Sequence, residues 1–159
     1  FIFILLHFSS KGPFFFKQIR IGRDSQKFKI YKIRTMHVKE NRKIKQVFNS
    51  NKDVFFIGSI LRRFKVDELP QLINIIKGEM SFIGPRPWHV SAYSNLPKKA
   101  LYRLKVLPGI SGLAQVNGNI NLTWEERYYY DCKYIKEFSL MTDLKIIFKT
   151  FIVILLGEK

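Results

Sequence analysis

Apolar and polar residues alternate through Phe28-Lys29-Ile30-Tyr31-Lys32-Ile33-Arg34, a period of two that predicts a strand with one basic face. An apolar run, Phe14-Phe15-Phe16, lies upstream, and turn residues Gly22-Arg23-Asp24-Ser25 stand between the two, so the pair predicts a β-hairpin. Residues 37–53 are polar and predict a helix–loop excursion. Beyond them the period lengthens. Leu69, Leu72, Ile73 and Ile76 fall at i, i+3, i+4 and i+7, one apolar face of a helix opening at Asp67-Glu68-Leu69-Pro70. Asp67 is the expected N-cap, Pro70 sits in the first turn where its missing N–H does no harm, and Gly78 ends the helix.

Gly84-Pro85-Arg86-Pro87 reads as a stiff, non-helical corner, and Pro108 to Asn119 as a loop. Thr123 and Glu126 have the spacing of a capping box for a helix carrying Trp124 to Tyr134. The last segment, Leu140 to Leu156, is amphipathic: Leu140, Leu144, Ile147, Phe148, Phe151 and Leu155 share a face, with Lys145 and Lys149 opposite. A core helix has this pattern, and so does a helix lying in the headgroup layer of a membrane; the narrow basic stripe puts the interfacial reading ahead. The opening Phe1 to Phe8 is too short to cross a bilayer as a helix, which takes about 20 residues. It reads either as the end of a longer hydrophobic segment or as a buried strand.

The 159 residues suit a single domain with its own core, spanning 1–159. Charge changes the picture more. The net charge is +16, and residues 1–52 hold 13 basic against 2 acidic side chains, a local excess of +11. Such a field calls for an anionic partner, whether nucleic acid, acidic lipid or a phosphorylated substrate. Cys132 is the only cysteine, so no intrachain disulfide forms; His7, His37 and His89 stand far apart, and a zinc site is not expected.

Asp67-Glu68 is the first candidate for chemistry. Two carboxylates at a helix start lie near unpaired N–H groups, which favour ionised oxygens able to attack phosphorus or hold Mg²⁺. Acids there are more often simple caps. Context shifts the balance. Arg62 and Arg63 precede the pair, and Arg86 follows in its rigid corner; arginines on stiff backbone grip phosphate with two parallel hydrogen bonds. Lys32 and Arg34 either add charge to this site or belong to a solvent-facing basic strand.

These segments, in this order, resemble the bacterial sugar transferase family, the monotopic polyprenyl-phosphate phosphoglycosyl transferases. The likeness is carried by residues 12–22 (GPFFFKQIRIG), Phe28 to Met36 (FKIYKIRTM), Asp67 to Leu72 (DELPQL), Lys77 to Pro87 (KGEMSFIGPRP) and Pro108 to Gly118 (PGISGLAQVNG). A looser likeness runs from Thr123 through Asp131 and Tyr134 to Asp143-Leu144-Lys145. The resemblance implies an α+β domain, mainly helical with a small β-hairpin, seated on the cytoplasmic face of the bacterial inner membrane. It implies a reaction in which Asp67 attacks the β-phosphate of a UDP-sugar, expels UMP and passes the phospho-sugar to a polyprenyl phosphate, initiating a surface polysaccharide such as capsule, exopolysaccharide or lipopolysaccharide. Glu68, with Asp67, would bind Mg²⁺, and Lys32, Arg62 and Arg86 match basic positions of the family's active site. In the family an N-terminal re-entrant helix enters and leaves one leaflet; only Phe1 to Phe8 would be its tail here. Two positions depart from the pattern: Asn119 stands where the family usually has Arg after Val-Asn-Gly, and Asp53-Val54-Phe55 replaces the usual Arg-Ile-Thr.

Three functional hypotheses therefore stand beside one another: the transferase, an inactive relative that keeps the fold, and a basic nucleic-acid-binding module. The last is the weakest, and no nucleic acid partner is expected, because the basic residues are scattered among apolar runs and no reader motif is present.

Overall fold

The computed structural model describes residues 11–38, 53–93 and 97–156. The first eight residues, and most of the polar excursion, lie outside the described residues. Within them the chain divides into two compact units: residues 11–17 with 31–70, and residues 18–30 with 71–156.

The predicted hairpin is present. Strand β1 (Phe15–Ile21) and strand β2 (Lys27–Ile33) are neighbours in one sheet. Their turn is closed by Gly22 N–H donating to the Gln26 carbonyl at 2.8 Å, with Asp24 and Ser25 both left-handed at φ 52° and 62°.

In the first unit, helix α1 (Phe56–Arg63) follows an isolated antiparallel bridge between Met36 and Val54. Ile33, Phe55 and Leu61 are buried together, with Phe14, Ile57 and Val66 packed against them. Gly58 lets α1 approach the end of β2, since a Cβ there would stand 2.3 Å from the Thr35 carbonyl oxygen. Arg34 is not a solvent-facing charge. It is buried, and its Nε donates to the Pro13 carbonyl at 2.6 Å, clamping the turn ahead of β1.

The expected helix from Asp67 to Gly78 is split. A 3₁₀ turn spans Val66–Gln71, and an α-helix, α2, occupies only Leu72–Ile76. Lys65, left-handed at φ 57°, ends α1 and starts the tight turn, which Glu68 N–H closes onto the Lys65 carbonyl at 3.1 Å. Asp67 therefore lies inside the turn rather than capping a helix. The expected stop is correct: Gly78 has φ 71°, the left-handed conformation that glycine adopts without a Cβ penalty. The apolar face assigned to this helix is not a core face. Leu69, Leu72, Ile73 and Ile76 are all exposed, Ile76 at 86%, and the buried side belongs to Asn74. Asn74 Nδ2 donates to the Lys29 carbonyl at 2.8 Å and to Glu79 Oε2 at 2.7 Å.

In the second unit, β3 (Ser81–Ile83), β4 (Trp88–His89), the short helix α3 (Val90–Tyr93) and a 3₁₀ stretch Lys98–Lys105 lead to β5 (Gly109–Ser111). β4 extends the hairpin sheet, antiparallel to β1, pairing Arg20 with His89 and Ile21 with Trp88. β3 and β5 form a separate parallel pair, Ser81 with Gly109 and Ile83 with Ser111. The stretch read as a loop after Pro108 thus begins with a strand. Three residues are too few for a legible alternation.

Helix α4 (Trp124–Lys136) starts at the expected capping box: Glu126 N–H donates to Thr123 Oγ1 at 3.2 Å, and Thr123 N–H donates to Glu126 Oε2 at 2.7 Å. Helix α5 (Leu140–Leu156) covers the expected span. It is seated by Ile146, buried with Ile83 and Tyr134, while the Tyr134 hydroxyl donates to Asp143 Oδ1 at 2.9 Å. The stripe Leu140, Leu144, Ile147, Phe148, Phe151 and Leu155 is exposed, so it is not the face by which α5 joins the core. The architecture is mixed helix and strand, consistent with α+β. Among the described residues, no helix is long and apolar enough to cross a membrane.

Candidate active site

The first unit brings together four of the residues singled out from sequence. Asp67 and Glu68, on the 3₁₀ turn, are buried at 6% and 7% exposure. Lys32, near the end of β2, donates from Nζ to Glu68 Oε1 at 2.5 Å. Lys32 belongs to the site, not to a solvated basic strand. Arg62, near the end of α1, is half-buried, and with Lys32 and Lys65 it favours the ionised form of Asp67. Arg63 points elsewhere, exposed against the Phe64 ring.

The electrostatics of Asp67 set two effects against each other. Burial pushes its pKa above the ordinary carboxylate range, and the neighbouring Glu68 carboxylate pushes the same way. Lys32, Arg62 and Lys65 oppose this and do not fully cancel it. The result is a carboxylate held out of water, and so a stronger base and nucleophile when ionised than a solvated aspartate.

Two adjacent buried carboxylates are the donor set that fits a divalent cation. Asp67 and Glu68 would supply carboxylate oxygens to Mg²⁺, a hard ion that keeps waters and takes substrate phosphates as further ligands. Among the described residues, no cluster of three or more His, Cys, Asp or Glu side chains is placed to hold a metal alone.

Arg86 and Asn119 belong to the second unit. Arg86 lies between Pro85 and Pro87, as expected for a stiff corner, and its carbonyl accepts from Arg103 at 2.6 Å. Arg103 is buried, 3.1 Å from the equally buried Asp131, with its guanidinium 5.1 Å over the Trp88 ring. Burial lifts Asp131 to about 6 even though Arg103 pulls it down. Asn119 is left-handed at φ 46°, a conformation asparagine tolerates better than most residues, and follows Gly118 at φ 133°.

Sequence reasoning passed over Lys65 and Arg103. Lys65 had a signal in its nearness to Asp67. Arg103 had none, since it sits in a basic stretch that reads as solvated.

Buried paired carboxylates set against lysine and arginine, on a mixed helix-and-strand frame, are a class of site suited to phosphorylated substrates. More narrowly, residues 1–157 match the bacterial sugar transferase family, and the chain belongs to it. It is 41% identical over 158 residues to the UDP-glucose:undecaprenyl-phosphate glucose-1-phosphate transferase of Escherichia coli K12, covering 94% of this chain and 34% of that protein. It is 36% identical over 165 residues to the exopolysaccharide production protein ExoY of Rhizobium meliloti, covering 94% of this chain and 73% of the relative. The galactosyl transferase CpsE of Streptococcus agalactiae is 38% identical over 159 residues, covering 92% and 35%. The chain thus spans roughly a third of two of these relatives and most of the other.

Proposed function

We propose that this protein transfers a sugar 1-phosphate from a UDP-sugar to a polyprenyl phosphate, with release of UMP, as the first membrane step of surface-polysaccharide synthesis. The observation that carries the reading is Asp67: a buried carboxylate beside a Lys32–Glu68 ion pair, under the field of Arg62 and Lys65. The printed names of the relatives, which include undecaprenyl-phosphate glucose-1-phosphate transferases, support the substrate pair.

An Asp67 oxygen attacks the β-phosphorus of the donor. The bond from that phosphorus to the oxygen bridging the α-phosphate breaks, and UMP leaves with the electron pair. The phospho-sugar is then an acyl phosphate on Asp67. An oxygen of the polyprenyl phosphate attacks the same phosphorus, the acyl phosphate bond breaks, and the carboxylate is restored with a polyprenyl diphosphate sugar as product. The Lys32 and Arg62 cations lower the cost of charge building on phosphoryl oxygens. Lys32 also fixes Glu68, so that Asp67 keeps its position beside a charged rather than a wandering neighbour. When bound, Mg²⁺ supplies charge neutralisation to the diphosphate.

The exposed apolar stripe of α5, with exposed Lys145 and Lys149, supports seating in an anionic headgroup layer at the cytoplasmic face of the inner membrane. The deciding experiment incubates the chain in lipid nanodiscs with polyprenyl phosphate, Mg²⁺ and a panel of UDP-sugars, and measures UMP. Release by the wild type and none by Asp67→Asn is the expected result. Absence of UMP with every donor would overturn the reading.

A further inference from the structure

In the second unit, the turn of the hairpin and the 3₁₀ stretch Lys98–Lys105 border a cleft of about 290 Å³, lined by Asp24, Ser25, Tyr93, Leu101, Leu104 and Lys105. None of these residues takes part in the chemistry above. Residues three apart share a face of a 3₁₀ helix, so Leu101 and Leu104 line the cleft together. Leu104 is buried in a core cluster with Ile21 and Trp88, against which Tyr93 also packs. The floor is thereby fixed to the core, while Leu101 stays 41% exposed as an apolar surface.

The turn supplies most of the polar side. The Tyr93 hydroxyl donates to Ser25 Oγ at 2.8 Å, a pair that keeps a serine O–H to give and lone pairs to accept. Ser25 holds this position at a backbone cost: φ 62° is left-handed, a region that glycine or asparagine occupies more readily than serine. Strain of this kind gathers at binding sites, where the side chain gives something an easier residue would not. Asp24, also left-handed, stands 3.4 Å from Arg23. Lys105 Nζ lies 4.6 Å over the Tyr102 ring, which restrains its long stem.

An anion in this cleft would meet the Asp24 carboxylate, and a cation would meet the Lys105 ammonium. A neutral ligand rich in hydroxyls uses both, since a hydroxyl donates to a carboxylate and accepts from an ammonium. The two leucines suit the C–H face of a sugar ring, and the volume suits a single ring. We infer that this cleft binds a neutral saccharide, its hydroxyls held by Asp24, Ser25, Tyr93 and Lys105 and its ring lying on Leu101 and Leu104. Such binding does not depend on phosphoryl transfer at Asp67.

Saturation-transfer NMR on the full chain in nanodiscs, with methyl α-glucoside and methyl β-galactoside as the probes, tests this. At least one glycoside should bind with a Kd of about 1 mM, the weak range expected of a small polar ligand in an open cleft. Ser25→Gly keeps the left-handed turn without strain and deletes the hydroxyl. It should weaken binding about fivefold with no fall in melting temperature, a split that a purely structural Ser25 would not give. Tyr93→Phe, which keeps the ring on the core, should show a similar loss, and Leu101→Asn a larger one. The inference fails if neither glycoside shows transfer, or if Ser25→Gly and Tyr93→Phe both bind as the wild type does. Displacement of the glycosides by inorganic phosphate would also overturn it, by making the cleft an anion site centred on Lys105. A chain that releases no UMP yet binds a glycoside here loses the transferase reading and keeps this one.

Discussion

Lys32 Nζ stands 2.5 Å from Glu68 Oε1, with the two side chains only 17% and 9% exposed, so a strand and a tight turn are joined by an ion pair largely out of water. Such a pair adds little net stability against an apolar replacement, yet losing one partner strands the other's charge. Lys32→Met should therefore destabilise the chain by about 2 kcal/mol, somewhat under the cost for a fully buried pair. The double variant Lys32→Met/Glu68→Gln should regain much of that loss, as urea midpoints would report. If the single and double variants unfold together, the ion pair is not what joins these elements.

Asp67 links stability to activity in opposite directions. Its charged form is disfavoured by burial and by Glu68, so Asp67→Asn removes an energetic penalty while deleting the nucleophile. UMP release should fall at least about a thousandfold, with no lowering of the melting temperature. The raised pKa also fixes the pH profile. The nucleophile must be ionised, so kcat/KM should decline as pH drops through a value above the ordinary aspartate figure of about 3.9. An acid limb at or below that figure would contradict the environment described for Asp67.

The hairpin, the Gly78 stop, the Thr123–Glu126 capping box and the span of α5 were legible because each is local. Alternation, a left-handed glycine and a reciprocal N-terminal bond are written in adjacent residues. The carboxylate pair was legible too, through its arginine neighbours, though not its setting. Local pattern makes Asp67 a cap, whereas Lys65 at φ 57° diverts the chain into a 3₁₀ turn in which Asp67 is buried. Likewise Leu69, Leu72, Ile73 and Ile76 have a helical period but no core to face, since periodicity says which residues share a side and not what covers it. β3, β4 and β5, of two or three residues each, are defined by long-range partners that no local pattern reveals.

Asp131 yields a prediction whose sign runs against the common case. Its pKa is about 6 in the folded chain against an ordinary 3.8, so between those values the folded state holds a proton that the unfolded state has released. Stability from this group is lowest above pH 6 and is regained as pH falls toward 4. Asp131→Asn cannot take part. The stability difference between wild type and Asp131→Asn should therefore shift toward wild type by about 2 kcal/mol between pH 7 and pH 4. Denaturant titrations of both proteins at the two pH values measure it, other titrating groups cancelling in the difference. A flat difference would mean that Arg103 holds Asp131 ionised throughout.

On α5, Phe148 and Phe151 are exposed at 68% and 61%, while Ile146 is the buried residue of the helix. Charging the exposed stripe should leave the fold alone and act only on what the stripe meets. Phe148→Glu/Phe151→Glu should weaken binding to anionic vesicles by at least about a hundredfold, since each buried phenylalanine is worth about 1.5–3 kcal/mol. Lys145→Gln/Lys149→Gln should give a smaller loss, about 1 kcal/mol per lysine, that vanishes at high salt. The two pairs separate hydrophobic insertion from electrostatic attraction, because salt screens one and not the other. Unchanged vesicle sedimentation in both double variants, with melting temperatures intact, would remove α5 from the membrane contact.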